Sequence, residues 1–313
     1  MNNKRWLSAG RSKIVYNNNK LFFKNQPTCT KDYFQYILSL LKTVLIENDL
    51  AVNILINVDR YPFKNKNRTI RIEVNNEHTL VKPRGRDVPE STPIGNIKCD
   101  NSTKYYVRLH EFEKLNSCDI VIDYSQPNIF NVKSSGLFDN FSKKHIYIAP
   151  CIYDSVYSIK DGRENSTITS FFDTNQYRRK KLIEQLKVLD FDHTNINCFD
   201  KTGLEKIYRN TKILINIHQT GEHNTFEELR CLPAVANGTI VVSEKPPLHH
   251  LVPYQNMIVW CSYDDIANQV EDVLNNYHDV HNKLFSTENI NVINNLDSQN
   301  KKNLEEKILS VLT

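Results

Sequence analysis

"KILINIHQTGEHNTFEELRCLPAVANGTIVVSE", residues 212–244, reads as one strand–helix–strand unit. KILINIH and GTIVVSE are short apolar runs rich in β-branched residues, each bounded by polar turn residues, the pattern of buried parallel strands. Between them TFEELRCLPAVAN has the length and apolar spacing of one helix. Two parallel strands joined through a helix make a right-handed crossover, the repeating unit of an α/β fold.

The same alternation extends on both sides. TITSFF, NQYRRKKLIEQLKVL, NINCF and KTGLEKIYRNT precede the unit as strand, helix, strand and helix, and NMIVWC and SYDDIANQVEDVLNNY follow it as strand and helix. The first half opens with a helix on which Phe34, Ile37, Leu38, Leu41 and Leu45 share one face. It continues through the strand signals LAVNILINV, RTIRIEV, KYYVRL, CDIVIDYS and HIYIAP. A polar stretch, CIYDSVYSIKDGRENS, separates the halves. We therefore expect an α/β fold of two Rossmann-like domains, residues 1–155 and 156–290, with a closing helix in 291–313. Ligands of open α/β sheets sit outside the carboxyl ends of the strands, which places the expected site in the cleft between the two halves.

Composition narrows the function classes. The chain has 313 residues, 40% hydrophobic and 24% charged, enough for packed cores. A net charge of +4 is too small to mark a nucleic-acid surface, so no nucleic-acid partner is expected. The seven cysteines are odd in number and never spaced as C-x-x-C, which argues against a disulfide framework or a zinc knuckle and for a reducing compartment. No run approaches the roughly 18 apolar residues of a membrane span, and the amino-terminal stretch lacks a signal peptide's apolar core. A cytoplasmic protein is expected, in the host cytoplasm if the gene is viral; composition leaves the oligomeric state open.

The polar loop and helix start of the quoted stretch carry its chemistry. Thr225 and Glu228 have capping-box spacing, with the threonine oxygen accepting from the Glu228 amide. A helix amino terminus that follows a strand suits an anion, because free amides and the macrodipole both favour negative charge. Arg230 offers a forked contact, Glu227 or Glu228 accepts from ribose hydroxyls, and His218 and His223 line the loop. The spacing taken alone serves equally as a stability device.

EELRCLPAVANGTIVVSE resembles the donor-binding segment of GT-B glycosyltransferases of the group 1 type, in particular the small enzymes of large DNA viruses and bacterial surface-glycan clusters. AVANGTIVV, residues 234–242, matches the core of that segment, and residues 167–280 follow the wider layout. Pro233 stands where the commoner pattern has its ribose-binding glutamate, so Glu227 and Glu228 are the candidates for that contact. The resemblance implies the GT-B arrangement and metal-independent transfer of a hexose or pentose from a nucleotide-diphosphate sugar to a glycan or other hydroxylated acceptor. The nucleotide sugar is a co-substrate, and no cofactor is implied.

Further candidates surround this core. Arg178 and Arg179, in YRRKK, would reach the diphosphate, and Glu244, with Ser243 and Lys245, ends a strand at the cleft rim. In the first half EHTLVKPRGRD carries His78, Lys82, Arg84, Arg86 and Asp87 after a strand. A general base beside the acceptor hydroxyl would be His78, Asp87 or Asp123, the last at the end of DIVIDYS. The adjacent His249 and His250 point to different sides without a third ligand, so no metal site is expected. Two rivals share the architecture: a nucleotide-sugar epimerase, and an inactive relative that binds glycans.

Overall fold

The computed structural model describes residues 10–313 apart from 17–18, 27–28, 60, 62, 83–94, 99–103, 110, 158–162, 172, 190–191 and 199. The first half begins with β1 (Arg11–Tyr16) and β2 (Asn19–Lys24), an antiparallel hairpin outside the expected elements. Helix α1 (Lys31–Glu47) leads to β3 (Asn53–Ile56) and β4 (Thr69–Asn75). A small antiparallel sheet follows, made of β5 (Leu80–Val81), β6 (Gly95–Lys98) and β7 (Lys104–Val107) in the order β5-β7-β6. KYYVRL thus joins a side sheet and not the main one. Then come α2 (Phe112–Asn116), β8 (Ile120–Asp123), α3 (Gln126–Ser134), α4 (Asp139–Ser142) and β9 (His145–Tyr147). The main sheet runs β1-β2-β3-β4-β8-β9, parallel from β2 onward.

The second half comprises β10 (Asn165–Thr169), α5 (Tyr177–Val188), β11 (His193–Asn195), α6 (Lys201–Arg209), β12 (Thr211–Asn216), α7 (Glu228–Ala236), β13 (Ile240–Glu244), β14 (Ile258–Cys261), α8 (Ile266–Asn275) and α9 (Tyr277–Leu284). Its sheet is wholly parallel, in the order β11-β10-β12-β13-β14. The expected class, two parallel α/β sheets in one chain, is the observed one. The last helix, α10 (Thr287–Leu312), begins earlier than its sequence signal and packs back on α1 and β9 of the first half.

Each half has its own core. Ile213, Leu214, Ile215, Val241 and Val242 are fully buried in the second, as a central strand covered on both faces requires. The first is built on Ile54, Ile56, Ile70, Ile120 and the apolar face of α1, and it takes in Leu304 and Ile308 from α10.

The helix start differs from expectation. Helix α7 begins at Glu228, with Glu227 as its N-cap and no side-chain cap, so Thr225 forms no capping box. The cause is tertiary. His223 bridges to Val81, the Lys82 amide donates to the Glu222 carbonyl at 2.7 Å, and Asn224 Nδ2 donates to the Tyr105 hydroxyl at 3.0 Å. Phe226 is buried against Tyr254 and Trp260. These contacts hold residues 223–226 extended past the point where a local cap would have turned them.

Candidate functional site

The chain leaves β10 for β11 on one side and returns to β12 on the other, so the second sheet has its topological switch point between β10 and β12. Crevices at such points, outside the carboxyl strand ends, are the standard ligand positions of open α/β sheets. Two arginines stand there. Arg230 donates through Nη1 to Asn216 Oδ1 at 3.0 Å, at the end of β12. Arg179 donates through Nη1 to the Asp173 carbonyl at 3.3 Å, in the loop after β10, and its guanidinium lies 4.9 Å from the Phe171 ring centre. Burial lowers the Arg179 pKa, the nearby charge of Arg230 lowers it further, and Glu227 and Asp173 oppose this. Arg179 is 7% exposed and its Nε has no hydrogen-bond partner among the described residues.

Beside this pair lies a second charged group. Arg178 Nη2 donates to Glu244 Oε1 at 2.6 Å, and its guanidinium stacks 4.1 Å from the Tyr263 ring centre. The His218 amide donates to Glu244 Oε2 at 3.0 Å, while its ring Nδ1 sits 3.3 Å from Oε1. Burial alone would raise the Glu244 pKa, but the hydrogen bonds and charge of His218 and the charge of Arg178 bring it down to about 2. Arg178 and Glu244, both expected to contact a donor, are bound to each other in this structure.

The first half supplies the facing wall. The His78 and His223 rings meet edge to face at 4.5 Å, and Arg108 Nη2 lies 3.4 Å from His78 Nε2. Burial, with the charges of His223, Arg108 and His218, holds His78 well below the ordinary histidine range, so it is neutral at pH 7. Arg108 is 1% exposed and also approaches Glu77 at 3.7 Å. No sequence signal marked it: it follows an apolar strand as a single charged residue.

Three candidates stand otherwise than expected. Asp123 is fully buried and its carboxylate accepts from Asn75 Nδ2 at 2.7 Å, the Ser125 amide at 2.9 Å and Asn128 Nδ2 at 3.0 Å, with His145 Nε2 at 2.9 Å. It organises the end of β8 and offers no accessible basic oxygen. Glu228 is also fully buried, and its Oε2 accepts from the hydroxyls of Tyr147 at 3.2 Å and Tyr254 at 3.3 Å. It ties α7 to β9 across the seam and does not face an open cleft. At the amino end of α7 the Glu228 and Arg230 amides already donate to the Phe226 and Glu227 carbonyls, so the expected anion cradle is closed by the chain itself. Thr225 is buried behind it, and Asp87 lies outside the described residues.

The arrangement brings four expected donor-side residues, Arg178, Arg179, His218 and Arg230, to one strand edge, opposite His78. Buried guanidinium donors without partners suit an anionic ligand with several oxygens, such as a phosphate group. Among the described residues no group of three or more His, Cys, Asp or Glu is arranged to hold a metal ion, and no helix is long and apolar enough to cross a membrane.

No family model matches the chain. An uncharacterised protein of Acanthamoeba polyphaga mimivirus is 31% identical over 169 residues, 53% of this chain and 56% of that protein. The chain thus spans about half the length of this curated relative. Among solved structures, a mutant of S. aureus TarM in complex with Fondaparinux, alpha-GlcNAc-glycerol and UDP is similar at 11% identity and a TM-score of 0.48, over 93% of this chain and 59% of that one. An alpha1,3-fucosyltransferase with GDP-fucose is similar at 9% identity and a TM-score of 0.38, over 74% of this chain and 69% of that one. These likenesses are loose and give no residue-by-residue correspondence.

Proposed function

We propose that this chain transfers a sugar from a nucleoside-diphosphate sugar to a hydroxylated acceptor, a glycan in the first instance, across the seam between its two sheets. One observation carries the reading: the switch point of the second sheet is furnished with the buried Arg179 and the half-buried Arg230, and His223 of the loop after β12 meets His78 of the other half. The diphosphate would lie against the two guanidinium groups, which stabilise the charge that grows on it as the glycosidic bond breaks. Glu227, whose charge acts on Arg179, would accept from ribose hydroxyls. Fixed cations in a partly dry site can supply the stabilisation that a divalent ion gives elsewhere, so we propose a transfer that needs no metal.

The test is direct. UDP and GDP are titrated calorimetrically into the wild type, Arg230→Ala and Arg179→Ala, and each substitution is expected to weaken nucleotide binding at least about tenfold, the worth of one charge-assisted hydrogen bond. Unchanged affinity in folded variants removes the arginines from the site. Release of nucleoside diphosphate from a panel of nucleotide sugars, dependent on acceptor and insensitive to chelator, supports transfer. Conversion of the donor sugar without acceptor identifies an epimerase instead, and binding without turnover a binding module.

A further inference from the structure

His218 stands two residues past the end of β12, and its side chain is 2% exposed. Its two ring nitrogens have different surroundings. Nδ1 lies 3.3 Å from Glu244 Oε1, and the residue's own amide donates to the other oxygen of the same carboxylate, so ring and backbone are registered on one group. Arg178 holds that carboxylate from α5 at 2.6 Å. Both ring nitrogens are buried and neither meets hydrogen-bond geometry with a partner among the described residues, but Nδ1 has the carboxylate beside it and Nε2 has none. A buried polar atom without a partner costs about 1–3 kcal/mol, and a native fold that keeps one calls for a reason beyond packing. A carboxylate at Nδ1 selects the tautomer protonated there, which leaves the Nε2 lone pair open.

We propose that His218 is the proton acceptor of the reaction, receiving the acceptor hydroxyl's proton at Nε2, with Glu244 as the residue that positions the ring. This rests on the glycosyl-transfer reading above. In the step, the acceptor oxygen forms its bond to the anomeric carbon as its proton passes to Nε2. The bond from that carbon to the diphosphate oxygen breaks, and its electron pair leaves with the nucleoside diphosphate. The imidazolium, held against the Glu244 carboxylate, then returns its proton to water.

The other candidate bases are less suited. His78 Nε2 faces the Arg108 guanidinium at 3.4 Å, and the cationic surroundings that keep His78 neutral also make it a weak base. Both Asp123 oxygens are already taken, by Asn75, Ser125, Asn128 and His145. His145 also has a carboxylate, Asp123, at one nitrogen and an unpartnered second nitrogen, but it opens β9 at the strand's amino end, whereas His218 stands past the carboxyl end of β12 beside Arg178. The charged groups beside it are Glu244 from β13 and, through that carboxylate, Arg178 from α5.

The experiment compares wild type, His218→Gln, His218→Ala and Glu244→Gln for transfer at saturating nucleotide sugar and for UDP and GDP affinity by calorimetry. His218→Gln and His218→Ala are expected to lower kcat about 100- to 10,000-fold, the usual worth of a positioned base, with nucleotide affinity kept within about threefold. Glu244→Gln is expected to lower kcat less than either His218 substitution and to leave KM for the nucleotide sugar within about threefold, because it loosens the ring without removing the nitrogen that takes the proton. A His218→Gln enzyme with kcat within about threefold of wild type overturns the assignment, the base being worth far more than that. Loss of nucleotide affinity in step with kcat also overturns it and makes His218 a donor ligand. If the wild type transfers no sugar from any donor, the glycosyl-transfer reading falls and this assignment with it; transfer by the wild type with an unaffected His218→Gln sinks this assignment alone.

Discussion

Glu228 shows how burial changes what a single side chain can do. A glutamate in the first turn of a helix is ordinarily a solvated complement to the dipole. Here burial raises its pKa to about 8, with hydrogen bonds from Ser125, Tyr147 and Tyr254 working against the rise and the charge of Asp123 adding to it. The folded value lies above the unfolded one of 4.5, so its contribution to stability is fully present below about pH 4.5 and is lost as pH climbs through about 8. At about 1.4 kcal/mol per unit the loss amounts to a few kcal/mol. Denaturant unfolding at pH 5 and pH 9 should therefore show a smaller stability gap for Glu228→Gln than for wild type; equal gaps would mean that Glu228 is ionised in the fold. Glu244 carries the opposite sign: its depressed pKa contributes stability above the ordinary carboxylate range that is lost as pH falls toward about 2.

At the scale of one element, α7 was legible at its end and not at its beginning. The Asn-Gly after VA is a Schellman stop: the Thr239 amide donates to the Ala234 carbonyl at 3.1 Å and the Gly238 amide to Val235 at 2.9 Å, with Gly238 at φ +71°. That geometry is local, and the six residues Ala234 to Thr239 contain it. A Cβ on Gly238 would lie 2.7 Å from Arg163 Nη2 and 3.0 Å from the Val156 carbonyl oxygen. Gly238→Ala should cost about 2–4 kcal/mol, strained backbone plus close contact, read as a lower melting temperature. A melting temperature equal to wild type would show that the turn relaxes freely. The beginning of the helix depends on His223 and Asn224 being drawn out by the other half of the chain and on Phe226 being buried against Tyr254 and Trp260, contacts that no window around Thr225 contains.

Over the whole molecule, α10 unites the two halves. It starts beyond the second sheet and ends on the first, with Leu304 and Ile308 in the first core. Asn300 is its anchor: its Oδ1 accepts from the Ala149 amide at 2.8 Å, and its Nδ2 donates to the Ala149 carbonyl at 2.9 Å and to the Tyr36 hydroxyl at 2.8 Å. Lys301 pairs with Glu47, and Asn303 donates to the Tyr147 carbonyl. Asn300→Leu should destabilise the protein by about 1–3 kcal/mol, since it leaves the buried Ala149 amide without its partner while the carbonyl keeps the Cys151 amide. Denaturant unfolding measures this, and a loss under about 0.5 kcal/mol would show that α10 is held by its apolar residues alone.

The sequence by itself determined the strand–helix alternation, the parallel second sheet and the place of Arg178, Arg179, His218 and Arg230 at its carboxyl edge. Periodicity and β-branched runs are local signals, and in a parallel sheet they set which end of each strand carries the loops. Tertiary structure alone decided which charges meet: that Arg178 is spent on Glu244, that Asp123 and Glu228 are enclosed, and that Arg108 reaches His78. Those pairings join residues far apart in the chain, and burial, which fixes each group's charge and reach, belongs to the packed halves and not to any one segment.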